Sequence, residues 1–272
     1  MELSFTMQDG SRIRVKIDRT SMDIKGVIVL IHGLGEHLER YNEWAGRFVD
    51  SGFSVIRVDL PGHGRSGGKR GHIKSFGMVD EIISNLTTMA DEEFPGVPVI
   101  LYGHSLGGTF VLNYLLSGNG GINLAIVTSP WIKLSFEPPR GKMILASVVK
   151  NILPALVQPT GLVPEHLSHD HDVVKRYIED PLVHYKISVA LFSGVHIAAR
   201  AIMERGSEIK LPLLLLHGED DLITSPGSSS EFAMISPGAT FKLWKGGYHE
   251  LHNEPFRDEI FKEIVGWLNS QL

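Results

Sequence analysis

Six short, mostly continuous apolar runs punctuate the chain: GVIVLI at 26–31, FSVIRV at 53–58, PVILY at 98–102, INLAIVT at 122–128, LPLLLL at 211–216 and ATFKLW at 239–244. Runs of this length and continuity suit strands buried on both faces of a parallel sheet. Helix-compatible stretches separate them at 39–51, 75–94, 106–117 and 227–236. A last stretch, 256–271, repeats Phe256, Ile260, Ile264 and Trp267/Leu268 at helical spacing, as an amphipathic helix lying on a sheet would. Near the start, 2–8 and 11–18 flank Asp9-Gly10, a dipeptide that tolerates positive φ and favours a tight hairpin. Strand and helix alternate, so the expected fold is α/β with a doubly wound, mostly parallel sheet.

The rhythm breaks between 130 and 206, where helical segments are punctuated by Pro138, Pro139, Pro154, Pro159, Pro164 and Pro181. The predicted organisation is a core in two parts, 1–129 and 207–272, with a helical cap or lid inserted at 130–206. Neither internal repeats nor low-complexity tracts suggest a solenoid, a coiled coil or a disordered linker.

Composition narrows the partners. With 272 residues and 43% apolar content the chain can bury one extensive core. A net charge of −5 supplies no broad cationic field, which argues against nucleic acid. The absence of cysteine excludes disulfides, thiolate metal sites and a cysteine nucleophile. The first 18 residues lack a basic segment followed by an apolar run, and the most apolar region, 143–163, is broken by proline. A cytoplasmic protein is the expectation. Gly62-His63-Gly64-Arg65-Ser66-Gly67-Gly68 lacks the Gly-Lys-Ser/Thr ending of a phosphate-binding loop, and no metal cluster stands out, so no cofactor and no metal are expected.

One segment carries chemistry directly. In PVILYGHSLGG, 98–108, a buried strand runs into Gly103-His104-Ser105-Leu106-Gly107 and then a helix, the nucleophile elbow of α/β-hydrolases. A β-carbon at 103 or 107 would crowd the neighbouring strand and helix, and the serine backbone is strained. Ser105 is therefore the candidate nucleophile. A serine hydroxyl needs a base, and in this fold the acid and then the histidine follow it in the chain. His249, in GGYHELH directly after the run at 239–244, is best placed, with His252 its local competitor. For the acid, HGEDDL at 217–222 offers three carboxylates. Asp221 is favoured because a bend at Gly218 turns residues back to the site and Leu222 and Ile223 then re-enter the interior; Asp220 is the alternative. The oxyanion requires two backbone donors, expected from Leu106 and, in HGLGEH at 32–37, from Leu34 between its two glycines.

Taken together, HGLGEH, LPGHGRSGG at 60–68, KRGHI at 69–73, GHSLGG at 103–108, HGEDD and GGYHELHNE make the chain resemble the monoacylglycerol lipase and lysophospholipase family of α/β-hydrolases. The resemblance spans nearly the whole chain, including 166–188, which is similar to that family's cap. It implies Asp221 as the acid and Leu34 and Leu106 as oxyanion donors. One departure is visible: the family commonly has a small residue where Leu34 stands.

The apolar stretch 141–163 is expected to form a helical lid whose underside lines an acyl channel and allows transient contact with a membrane or micelle. The expected substrate is an acyl-ester lipid with a single chain, such as a monoacylglycerol. Rival readings are an esterase for small non-lipid esters, an acyltransferase of the same fold, and a non-catalytic binding module. Enzymes of this fold with an aspartate nucleophile are excluded by Ser105.

Overall fold

The computed structural model describes residues 1–118, 120–136 and 152–272. In chain order its elements are β1 (Glu2–Thr6), β2 (Arg12–Asp18), β3 (Gly26–Ile31), α1 (Asn42–Asp50), β4 (Phe53–Val58), α2 (Phe76–Glu93), β5 (Val99–His104), α3 (Leu106–Leu116) and β6 (Leu124–Thr128). Then come β7 (Val157–Pro159), α4 (His171–Glu179), β8 (Lys186–Ser188), α5 (Val189–Arg205), β9 (Leu213–Gly218), α6 (Pro226–Ile235), β10 (Ala239–Trp244) and α7 (Arg257–Gln271).

Eight strands form one sheet in the order β1-β2-β4-β3-β5-β6-β9-β10. β2 pairs antiparallel with both β1 and β4, and every other pairing is parallel. This is the mixed, mostly parallel sheet of the α/β-hydrolase fold. Successive residues of the central strands feed two different cores. Val27, Val29, Leu101 and Val127 pack with α2 and α3, whereas Ile28, Leu30, Ile100 and Ile126 pack with Trp44 and Phe48 of α1 and Ile260 and Ile264 of α7. Burial on both faces is why these strands read as continuous apolar runs.

β5 and β9 extend two residues beyond the apolar runs that announce them, because polar ends still pair: His104 with Thr128, His217 with Leu243 and Gly218 with Trp244. In the first turn only Gly10 takes positive φ, at 84°, and β1 ends at Thr6.

After β3 the chain adds β4 on one side and then crosses to place β5 on the other. Ile31 and Gly103 are thereby paired, and the loops leaving β3 and β5 emerge side by side at the carboxyl edge. Such a switch point is where open α/β sheets bind ligands.

Between β6 and β9, Leu191, Val195, Ala199 and Ile202 of α5 join the main core cluster. β7 and β8 form a separate antiparallel pair. Of the apolar stretch at 141–163, residues 141–151 lie outside the described residues. The remainder is not helical: Leu153–Leu156 is a turn and β7 follows, since Pro154 and Pro159 deny backbone donors to a helix.

Candidate active site

Ser105 sits between β5 and α3 with φ 53° and ψ −117°, outside the conformations most residues adopt. Three hydrogen bonds hold it there. Its NH donates to Thr128 O at 2.9 Å, and its carbonyl accepts from Thr109 N and Trp131 N, each at 3.1 Å. A Cβ on Gly103 would lie 2.8 Å from the carbonyl carbon of Gly107, and one on Gly107 would lie 2.6 Å from His32 O with Ile31 O nearer still. Gly103 lets α3 start against the end of β5, and Gly107 lets it start against the end of β3.

The structure brings Ser105, His249 and Asp221 together from loops after three different strands. His249 Nε2 is 2.9 Å from Ser105 Oγ, and His249 Nδ1 is 2.7 Å from Asp221 Oδ2. All three side chains are buried. Asp221 Oδ1 accepts from Ile223 N at 2.7 Å and Thr224 N at 3.0 Å. Burial alone would raise the Asp221 carboxyl, but the His249 and His217 imidazoles hold it well below the usual carboxylate range. Burial likewise opposes a charged His249, yet the Asp221 carboxylate outweighs it and raises the imidazole above its ordinary 6.5. Nδ1 is therefore the protonated nitrogen in the neutral ring, leaving the Nε2 lone pair towards the hydroxyl.

The competing residues go elsewhere. Asp220 is exposed, its NH bonded to Gly247 O at 3.0 Å. His252 is buried and stacks on Tyr41 at 4.8 Å. Contrary to the sequence expectation, Leu222 and Ile223 do not re-enter the interior: Leu222 is 48% exposed and Ile223 half-buried, and both line the cavity. Gly218 is needed for close approach, because a Cβ there would strike the carbonyl oxygens of Gly247 and Tyr248. That contact presses the acid loop against the histidine loop.

Sequence reasoning passed over residues behind this trio. Ser129, fully buried at φ 45°, donates from Oγ to His249 O at 2.8 Å. His217 contacts Asp221 Oδ2 at 3.0 Å. The available signal was a histidine ending an otherwise apolar strand.

In the loop after β3, His32 Nε2 accepts from Leu60 N at 3.0 Å, so its Nδ1 donates to Gly33 O at 2.7 Å. Among the described residues, the NH groups of Leu34 and Leu106 have no intramolecular acceptor. Gly33 abuts the nucleophile, since a Cβ there would lie 3.2 Å from Ser105 Cβ. Gly35, at φ 81°, admits the carbonyl of His184, whose NH donates to Gly35 O at 2.8 Å. The segment after β6 also reaches the histidine loop, where Glu250 N donates to Leu167 O at 2.8 Å.

A buried charge cluster lies beside the trio. Arg40 donates to Glu36 Oε2 at 2.7 Å and forks onto Glu250 at 2.6 and 2.7 Å, with its guanidinium 4.6 Å from the Tyr177 ring centre. Burial would raise the Glu250 carboxyl, but Arg40 pulls it down to about 2.

These groups open on a cavity of about 500 Å³. Leu134, Phe136, Leu162, Val163, Phe192 and Leu222 form apolar walls, whereas Glu36, Arg40, Tyr177 and Glu250 contribute a polar section. Among the described residues, no group of three or more His, Asp or Glu is arranged to hold a metal, and no helix is long and apolar enough to cross a membrane.

Comparison with known proteins fits this arrangement. The family described as serine aminopeptidase, S33, matches residues 22–256. A monoacylglycerol lipase from Mycolicibacterium smegmatis is 31% identical over 274 residues, covering 100% of this chain and 98% of that protein. The crystal structure of a Paleococcus ferrophilus monoacylglycerol lipase superposes with a TM-score of 0.86 at 37% identity, covering 95% of this chain and 99% of that one. An uncharacterized abhydrolase domain-containing protein from Dictyostelium discoideum is 33% identical over 249 residues, 90% of this chain, but the match spans only 26% of that protein. The chain therefore belongs to the S33 family of α/β-hydrolases, as a member of the monoacylglycerol lipase-like kind.

Proposed function

We propose that this chain is a serine carboxylic-ester hydrolase for single-chain acyl esters, of the monoacylglycerol or lysophospholipid type, working through an acyl-enzyme on Ser105. The observation that carries the reading is the Ser105 hydroxyl, 2.9 Å from His249 Nε2, on the wall of a cavity that is apolar over most of its lining and charged in one section. That division suits an ester of one hydrocarbon chain and a polar alcohol. The names of the two full-length relatives support the substrate class.

In this mechanism His249 takes the Ser105 proton as Oγ bonds to the acyl carbon, and the carbonyl electron pair moves onto oxygen, facing the NH groups of Leu34 and Leu106. Collapse breaks the bond to the alcohol, which leaves with the proton from His249 Nε2. Water then repeats the sequence on the acyl-enzyme, releasing the carboxylic acid and restoring Ser105. Asp221 stays ionised, fixing the imidazole tautomer and stabilising the imidazolium.

Residues 130–206 serve as the cap of the cavity, anchored by α5, with 1–129 and 207–272 as the core. The exposed Ile152, Leu153, Leu156 and Val163 support transient contact with a membrane or micelle surface.

Labelling the intact protein with a fluorophosphonate and mapping the adduct tests the nucleophile, and an acyl-length series tests the substrate. The expected results are modification of Ser105 and faster hydrolysis of medium or long monoacyl esters than of acetates. An adduct elsewhere, or none, overturns the nucleophile; activity confined to acetate esters removes the lipid reading.

A further inference from the structure

We propose that His217 is a positioning residue for the hydrolysis proposed above, a second imidazole that aims the Asp221 carboxylate and moderates its pull on His249. The inference rests on Ser105, His249 and Asp221 acting as described.

His217 is the penultimate residue of β9, its preceding residues Leu213–Leu216 are all buried leucines, and it is itself fully buried. An imidazole in such a place is costly unless both nitrogens are bonded. Both are. Nε2 lies 3.0 Å from Asp221 Oδ2 and 3.1 Å from Thr224 O, while Nδ1 lies 2.8 Å from Ser229 Oγ on α6. Two acceptor oxygens converge on Nε2, so Nε2 carries the proton, because a lone pair there would face a carboxylate and a carbonyl together. Nδ1 then accepts from the Ser229 hydroxyl. The polarity runs from Ser229 through His217 to Asp221.

The same oxygen, Oδ2, is also the partner of His249 Nδ1. Backbone NH groups hold Oδ1, and besides His249 two side chains reach Oδ2: the Thr224 hydroxyl at 3.0 Å, whose single proton is shared with Ser129 O, and His217, whose N–H helps stop Oδ2 from swinging away when His249 moves. Sharing Oδ2 also spreads its charge over two N–H donors, which leaves His249 less basic than beside a carboxylate with one. The other titratable groups facing His249 are His104, His252, Glu36 and Glu250. Substitution at 217 touches none of them. The charged group bonded to His217 is Asp221.

The test compares wild type, His217→Leu, His217→Gln and Ser229→Ala by nitrogen-15 NMR titration of the His249 imidazole and by the pH profile of hydrolysis of a short-chain p-nitrophenyl ester. His217→Leu should move the His249 midpoint up by about half a pH unit or more. It should also lower kcat about tenfold or more through misalignment, with KM near the wild-type value. His217→Gln, which can return one N–H towards Oδ2, should recover part of both. Ser229→Ala keeps the imidazole and should shift the midpoint in the same direction by less; it carries the test if His217→Leu does not fold. An unmoved His249 midpoint in every folded variant overturns the proposal, since a merely structural role would change stability alone. Wild type without esterase activity would sink the proposed function while the NMR comparison still decides the role of His217.

Discussion

Gly107→Ala probes the geometry on which the site depends. The added Cβ would sit 2.6 Å from His32 O and 2.8 Å from the carbonyl carbon of Ile31, with Ile31 O closer still. These are backbone atoms at the end of β3, a strand paired on both sides, so no side chain can rotate out of the way. Ordinary contact begins near 3.4 Å, and the start of α3 and the end of β3 must part by about 1 Å. Overpacking of this kind costs about 1–3 kcal/mol, and rigid backbone on both sides puts the expectation at the upper end. The same displacement separates the Ser105 hydroxyl and Leu106 NH from Leu34 NH, all of which meet one carbonyl group in the proposed mechanism. A misplacement of about 1 Å lowers the rate by roughly 100-fold. Urea unfolding measures the first effect and kcat on a monoacyl ester the second. A variant with wild-type midpoint and wild-type kcat would refute the argument that glycine is required here by close approach.

The electrostatics lead to further outcomes at His249 and at Arg40. His249 must be neutral to accept a proton, and its pKa is raised because the Asp221 carboxylate outweighs burial, so kcat/KM should fall as pH drops through a midpoint above 6.5. A pH–rate profile with its acidic limb centred below 6.5 would contradict this. The stability sign is opposite for the same group: the pair's contribution is full below 6.5 and is lost as pH rises through the folded value. Arg40→Leu leaves Glu36 and Glu250 buried without their cation and should cost about 3–5 kcal/mol at neutral pH, read by urea unfolding. Because the Glu250 carboxyl is held down at about 2, its contribution in wild type is full above 4.5 and is lost as pH falls from there through about 2. The variant should lack this loss, and an equal acid sensitivity in both proteins would count against the pairing.

Much of the architecture was legible from local pattern. The runs at 26–31, 53–58 and 239–244 coincide with β3, β4 and β10, and the last helix differs by one residue at its start. Ser105 was conspicuous because glycines at 103 and 107 flank a serine between an apolar strand and a helix. By contrast, Asp221 and Asp220 are adjacent, and His249 and His252 are three apart in one loop; composition cannot separate them, whereas coordinates put one of each pair in contact and send the other away. The apolar content of 141–163 suggested a helical lid, but over its described part, 152–163, prolines determined the local shape.

Side-chain chemistry and near-neighbour sterics are written into consecutive residues, so the sequence by itself determined the buried strands of the core, the helices between them and the turn that presents Ser105. Strand order is not local. Only the tertiary structure decided that β3 lies between β4 and β5, that Arg40 meets Glu250 across 210 residues, and that His217 and His249 share one carboxylate oxygen. The physical reason is that these contacts depend on how separately stable segments stack, and their stabilisation exists only once a common core has brought them within bonding distance.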